Sequence, residues 1–463
     1  MLDLADFAPF AEAMQTRGLH PKQVESFRRH YDRLLAGERG TLGRGDLDPV
    51  DGLPHLDELP AGGEDLKDHV ALLDLNGGLG TSMGLTGPKS LLPVREGLTF
   101  LDVLARQVLH HRDCTGGHLP LILMNSFNTS EATHEALQPY PHLRDQEVPV
   151  ELLQSQVPKV RVDDLQPVRW PDDPLMEWCP PGHGDVFLSL YCSGMLERLV
   201  LDGFRYLFVS NVDNLGAGLD LRIPAWMQAG EVPFLMEVCD RTEADRKGGH
   251  LARLHDGQLV LREVAMCPPE EVEEFQDIQR YRYFNTNNLW VDLRALRHRL
   301  EDCGGVLDLP LIVNRKTTDP RDPSSPQVYQ LETAMGAAIS IFPGARALRV
   351  PRSRFAPVKT LEDLLAVRSD AYVLTPDFHI RLHPDRSFPP RLQLDPAWFR
   401  HVPDLDARTP DGPPSLLACS SLRVRGDVTF GRGVRCVGEV DLQASCRSRV
   451  PDGAVLEGEV RLG

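Results

Sequence analysis

The sequence predicts an α/β protein with a mostly parallel sheet, followed by a C-terminal stack of short strands. Three patterns carry this expectation: apolar runs alternate with amphipathic ones through the middle of the chain, a glycine loop follows directly on one apolar run, and near the C-terminus apolar residues recur every six positions. Alternating strands and helices build a parallel sheet whose ligands lie at the carboxyl ends of the strands. At 463 residues the chain is too long for one ordinary core, so two or three domains are expected, and 41% hydrophobic residues suffice to fill them.

Residues 5–36 place Phe7, Phe10 and Met14, then Val24, Phe27, Tyr31, Leu34 and Leu35, at helical spacing on either side of Gly18 and Pro21, which predicts two helices. The Gly/Asp/Pro-rich stretch 40–63 reads as a linker, giving a first unit of 1–63 and a catalytic unit of 64–388. Within the latter, 70–73, 119–124, 206–210 and 232–238 read as strands. Residues 131–137 read as a helix capped by Asn128 with Glu131 three positions on. A proline-rich stretch, 389–414, opens the third unit, 389–463. There Leu422, Val428, Val434 and Val440, then Val450, Leu456 and Leu462, keep a six-residue step, with Gly426, Gly433, Gly438 and Gly458 at bends. That step suits a parallel β-helix, and an antiparallel hairpin stack is the alternative. Gly463 ends the chain within the pattern and leaves an edge that could serve assembly.

The formal charge of −17 disfavours nucleic acid and anionic membrane partners, both of which need a positive face. No run approaches a membrane span, and acids occupy residues 1–7 where a secretory signal would carry lysines, so a cytoplasmic location is expected. Nine cysteines without C-x-x-C or Cys/His spacing read as reduced thiols, not disulfides or zinc ligands.

Residues 75–90, LNGGLGTSMGLTGPKS, follow the strand 70–73 and set backbone N–H groups and one lysine where a phosphate chain would lie. The spacing Gly78-x-Gly80-x-x-x-Gly84 is one residue too long for a dinucleotide fingerprint, and Asp102 falls at a helix start, not a strand end, which disfavours a hydride-transfer enzyme. Pro88 stands where a P-loop requires glycine, which disfavours an ATPase or GTPase. Only seven lysines accompany 43 arginines, and Lys89, Lys159, Lys247, Lys316 and Lys359 all fall in segments singled out by other signals, as if those places needed a compact charge.

The glycine loop resembles that of the UDP-glucose pyrophosphorylase family. The likeness recurs in LMNSFNT (123–129), PPGHGD (180–185), FVSNVDNLG (208–216), KGG (247–249), FNTNNLW (284–290), QLETAMG (330–336) and VPRSRFAPVK (350–359). It implies a Rossmann-like nucleotidyltransferase domain followed by a left-handed parallel β-helix. It also implies an enzyme that joins UTP and glucose 1-phosphate into UDP-glucose and pyrophosphate with Mg²⁺. The alternatives are another hexose 1-phosphate as acceptor, or a UDP-sugar sensor without turnover.

Carried onto this chain, the resemblance assigns Leu75, Asn76, Gly77 and Gly78 to UTP, Lys89 to its phosphates, and Asp213, at the end of the strand 206–210, to Mg²⁺ and the α-phosphate. One carboxylate suffices for a magnesium ion completed by phosphate and water. Gly182 lies by the uracil in this reading, and Gln154 offers a carboxamide matching uracil O4 and N3–H, provided a neighbour fixes its orientation. His183, Asn211, Val212, Asn285, Thr286 and Asn287 fall to glucose 1-phosphate, the asparagines supplying neutral groups for hydroxyls. Lys359 precedes a capped helix start at Thr360 and Asp363 and is assigned to both substrates. The two glycines beside His183 are expected to admit substrate to the backbone. Two residues depart from the family pattern: Gln156 replaces an arginine and Asp74 a lysine.

Overall fold

The computed structural model describes residues 6–38 and 40–463. The expected helix start at residue 5 and the acidic residue Asp3 lie outside the described residues. Helices Ala8–Thr16 and Pro21–Leu35 form as the spacing predicts. Their apolar faces, Phe10, Met14, Phe27 and Tyr31, close a core with Val157, Trp178 and Leu331.

The centre is a ten-stranded sheet. Val70–Leu75 runs parallel to Tyr206–Asn211 on one side and to Leu121–Asn125 on the other, and Glu151–Leu153 continues the parallel block. Tyr283–Asp292 then joins Tyr206–Asn211 antiparallel, and Phe234–Asp240 joins Tyr283–Asp292 antiparallel. The unbroken apolar run 70–73 is buried on both faces, as a sandwiched parallel strand must be. One face carries the helix Phe100–Thr115, and the other carries Val186–Cys192, Met195–Leu201 and Leu293–Asp302. Thr99 caps Phe100–Thr115 reciprocally with Asp102, so Asp102 starts a helix as the sequence indicates. All four parallel strands, the one leading to the glycine loop among them, end on the same side.

Three local expectations differ from the structure. The helix after 125 is Ser130–Ala136 with Thr129 at its N-cap, and Asn128 is not the cap. Thr129 is fully buried and turns its hydroxyl back to accept from the Ser126 N–H at 3.0 Å, which fixes the turn one residue later than a surface asparagine would. The last strand of that group is Phe234–Asp240, beginning after Pro233, which has no N–H to give to the ladder. The stretch 40–63 is not a free linker: Leu47–Pro49 pairs antiparallel with His250–Leu254, and Leu56 and Leu59 are buried against the sheet.

In the C-terminal part Arg391–Gln393, Cys419–Arg425, Arg435–Ala444 and Val455–Leu462 form one sheet in which every pairing is parallel, and Val428–Thr429 pairs parallel with Ser448–Arg449. The antiparallel stack is thereby excluded. Leu422, Val428, Val434, Val440, Val450 and Leu456 are all buried. Their core continues through Met83, Val94 and Phe100 and through Val402 and Leu405 of the helix Val402–Arg408, so the tail packs directly beneath the glycine loop. Among the described residues no helix is long and apolar enough to cross a membrane.

Candidate active site

The glycine loop leaves the strand Val70–Leu75 and folds back on itself. The Lys89 N–H donates to the Gly78 carbonyl at 3.1 Å and Leu79 bridges Pro88. This closure aims the Lys89 ammonium at the end of the neighbouring strand, where it meets Asp213 Oδ2 at 2.5 Å with both side chains less than a fifth exposed. Space above Gly78 is open: a Cβ there would meet nothing within 4 Å. The amide hydrogens of Asn76 are spent internally, its Nδ2 donating to Asn125 Oδ1 and Thr133 Oγ1 at 2.7 and 2.9 Å, while its Oδ1 is buried without a partner among the described residues. Asn76 shapes the loop from beneath, and Leu75 packs on the core below.

A second segment is laced alongside Asp213. Val358 N–H donates to the Asp213 carbonyl, Leu215 N–H to the Ala356 carbonyl, and Asn214 bridges Pro357, so Lys359 is carried to the same rim. Thr360 then caps the helix Leu361–Arg368 reciprocally with Asp363, whose Oδ2 also accepts from the Lys359 N–H at 2.8 Å, as its sequence predicts. Between this segment and the strand Tyr283–Asp292 lies a cavity of about 130 Å³ lined by Asn211, Asn285, Thr286, Asn287 and Lys359. Asn287 adopts φ 60°, which bulges the strand and turns the asparagines inward, where Asn285 Nδ2 donates to Asn287 Oδ1 at 2.8 Å. Thr286 gives its hydroxyl proton to the Glu237 carbonyl, so its side chain braces the strand.

Gln154, Gly77 and Gly182 form a third group. Gln154 Nε2 donates to the Gly182 carbonyl at 3.2 Å, while a Cβ on Gly77 would lie 2.7 Å from Gln154 Oε1. The amide is thereby oriented, because turning it over would set two oxygens together. Gln154 thus offers Oε1 as an acceptor beside Gly77. Asp185 accepts from the Ser155 N–H at 2.7 Å and from Ser189 Oγ, tying the 180–185 turn to this strand end. His183 Nδ1 accepts from the Met335 N–H at 3.0 Å, and burial lowers its pKa to about 4. The ring is therefore neutral at pH 7 with its proton on Nε2, a donor.

These groups converge at the carboxyl ends of the parallel strands, and the relatives can be set beside them. The chain matches the family profile of UTP–glucose-1-phosphate uridylyltransferase over residues 25–436. The chain belongs to this family. It is 42% identical to the potato UTP–glucose-1-phosphate uridylyltransferase over 88% of this chain and 84% of that one, and 43% identical to the Saccharomyces cerevisiae protein over 85% and 78%. A variant of UDP-glucose pyrophosphorylase from Leishmania major, solved in complex with UDP-glucose, superimposes with a TM-score of 0.93 at 44% identity over 100% of this chain and 99% of that one.

Within this uridylyltransferase framework several sequence readings change. Gly182 and Gly184 do not stand open to a ligand: a Cβ on Gly182 would lie 2.5 Å from the Thr333 carbonyl oxygen, and one on Gly184 2.4 Å from Thr333 Oγ1. The glycines let two backbones approach. Val212 turns into the apolar core shared with the C-terminal strands, away from the asparagine-lined cavity. Lys159 is buried and donates to the Thr318 carbonyl at 2.9 Å, so its place among the singled-out lysines reflects packing.

The sequence also left residues unnoticed. Glu263, Phe284 and Phe355 complete the cavity wall around Lys359. Burial raises the Glu263 carboxyl above the usual carboxylate range, with the Lys359 charge opposing the shift. Gly248 and Gly249 are required here, since a Cβ would enter the Phe284 ring or the Glu263 carboxylate; the KGG run was the signal for this. Glu237, with no exposed surface, takes Arg354 through both oxygens at 2.6 and 2.8 Å and accepts from Trp290 Nε1 and Asn288 Nδ2, bracing the strands under the cavity.

Proposed function

We propose that this chain transfers the uridylyl group of UTP to glucose 1-phosphate, releasing pyrophosphate and giving UDP-glucose. The observation that carries the reading is the Lys89–Asp213 contact at the mouth of the glycine loop, which holds a cation and an anion together where a triphosphate would lie. Gly77, Gly78 and Lys89 would cradle the phosphates. Gln154 Oε1 would accept from uracil N3–H and so reject cytosine, whose N3 is itself an acceptor. His183 Nε2–H would donate to a phosphate oxygen. Asn211, Asn285 and Asn287 would hold the sugar hydroxyls, and Lys359 would bridge the two anionic substrates.

The sugar phosphate oxygen attacks the α-phosphorus in line as the bond to pyrophosphate breaks. A phosphate monoester is already anionic near pH 7, so no protein base is needed, and catalysis is positioning and charge neutralisation. Asp213 fits a magnesium ion by donor chemistry: it is a hard carboxylate at a strand end, and no cluster of acids or histidines accompanies it among the described residues, so phosphate and water would complete the shell. Bound there, magnesium would neutralise charge on the phosphates. Lys89 and Lys359 act on the same charge from the protein side.

Three coarser aspects belong to the same reading. The units 1–63, 64–388 and 389–463 act as a helical segment, a catalytic domain and an assembly domain. The parallel C-terminal strands coil as a left-handed β-helix, with the edge strand Val455–Leu462 available to a second copy. The enzyme works in the cytoplasm. Incubating the pure protein with UTP, glucose 1-phosphate and Mg²⁺ should release pyrophosphate, and a panel of hexose 1-phosphates against the four nucleoside triphosphates should select uridine and glucose. No release with any pair would overturn the reading.

A further inference from the structure

Behind the glycine loop, between the central sheet and the helix Phe100–Thr115, lies an internal cavity of about 90 Å³ separate from the asparagine-lined one. Its floor is the stripe Leu72, Asp74, Phe208 and Ser210, and its roof is Phe100, Val103, Gln107 and His111 of the helix. Asp74 is 2% exposed and ends an otherwise apolar strand. Its Oδ1 takes the Ser210 hydroxyl proton at 2.5 Å, while its Oδ2 has no hydrogen-bond partner among the described residues. His111 lines the same cavity, and its Nε2 is likewise buried without a hydrogen-bond partner among the described residues.

The unsatisfied Asp74 Oδ2 is a lone-pair acceptor when the carboxyl is ionised. Ser210 has given its proton away, Gln107 Nε2 is spent on the Phe378 carbonyl at 2.9 Å, and burial holds His111 and His379, the titratable neighbours, toward their neutral forms. Among the described residues no lysine or arginine lines the cavity. A buried carboxylate facing neutral acceptors is costly unless a positive guest joins it. We propose that this cavity is a binding site for a small monovalent cation, potassium, sodium or ammonium, held by Asp74 Oδ2 and the Ser210 oxygen with water completing its shell. One carboxylate among neutral donors balances a single charge; a divalent ion would bring a second, unbalanced charge into the interior, and magnesium dehydrates reluctantly. The ion would tie the ends of Val70–Leu75 and Tyr206–Asn211 together where Asp74 pairs with Ser210, just ahead of Asp213.

The test uses stability, independent of turnover. The purified chain is melted at pH 8 and constant ionic strength in potassium, sodium or ammonium chloride and in choline chloride, whose cation is too large for the cavity. A small cation present at a hundredfold over its Kd should raise Tm by about 3 °C over choline, rising with the logarithm of its concentration. Asp74→Asn should abolish the difference between salts, and Asp74→Lys, which supplies a tethered ammonium, should abolish it too. Crystals soaked in a rubidium salt should carry an anomalous peak beside Asp74 and Ser210. Equal melting of the unmutated chain in all four salts, or a salt response that survives in Asp74→Asn, would overturn the proposal, leaving Asp74 as a protonated or water-solvated carboxyl.

Discussion

Lys89 and Asp213 meet at 2.5 Å across two different elements, one at the end of the glycine loop and the other just past the end of the adjacent strand. Each neutralises the other until phosphate arrives, so the negative protein interior does not repel its anionic substrates at this point. A triphosphate would compete for Lys89 and free Asp213 for a cation.

Replacing Asp213 by Asn keeps the shape and removes the charge. Turnover should fall by ~100-fold or more, the scale of deleting one electrostatic contact that matters most as charge moves onto pyrophosphate. Sugar-phosphate affinity should change far less. Steady-state kinetics separates the two, and unchanged kcat would move the metal position elsewhere.

Lys359 sits on the rim with its ammonium 5.8 Å from the centre of the Phe355 ring, beside Glu263. If it bridges two sets of phosphate oxygens, the wider guanidinium of Lys359→Arg should rescue little of the activity lost in Lys359→Ala, and Lys89→Arg should behave in the same way. Near-normal kcat/KM in both arginine variants would mean that charge alone describes the pocket.

Glu237→Ala should destabilise the fold by about 3–5 kcal/mol, because it leaves the buried Arg354 guanidinium without its partner. Removing both, as Glu237→Met with Arg354→Met, should recover much of that loss. Urea unfolding of the single and double variants measures the difference; additive losses would show that the pair acts through something other than charge.

His250 is fully buried and stacks on Tyr281 at 4.0 Å between ring centres, and burial together with Arg241 lowers its pKa to about 3. Between pH 6.5 and about 3 the unfolded chain binds a proton that the folded chain refuses. Its stability contribution is therefore intact above pH 6.5 and lost as pH falls, by about 1.4 kcal/mol per unit. The difference in stability between the unmutated chain and His250→Phe should narrow on acidification from pH 7.5 to 5 with that slope. A difference independent of pH would show that His250 takes up its proton alike in the folded and the unfolded chain.

The sequence by itself determined what local chemistry can encode. The apolar run 70–73, the glycine spacing with Pro88 and Lys89, and the Thr360–Asp363 cap are each a few consecutive residues whose conformational preferences act without distant help, and each appears where expected. The six-residue step of the tail fixed which residues are buried, and only the pairing of strands decided that they run parallel. Tertiary structure also decided what each polar residue is for. Asn76 and Lys159 look like ligands in the chain and are consumed by internal partners, because a buried donor must find an acceptor wherever the fold supplies one. Glu263 and Glu237 carry no local signal at all, since their surroundings are assembled from strands far apart in sequence. Gln154 falls between the two: its amide was legible, and its orientation came only with the Gly182 carbonyl across the cleft.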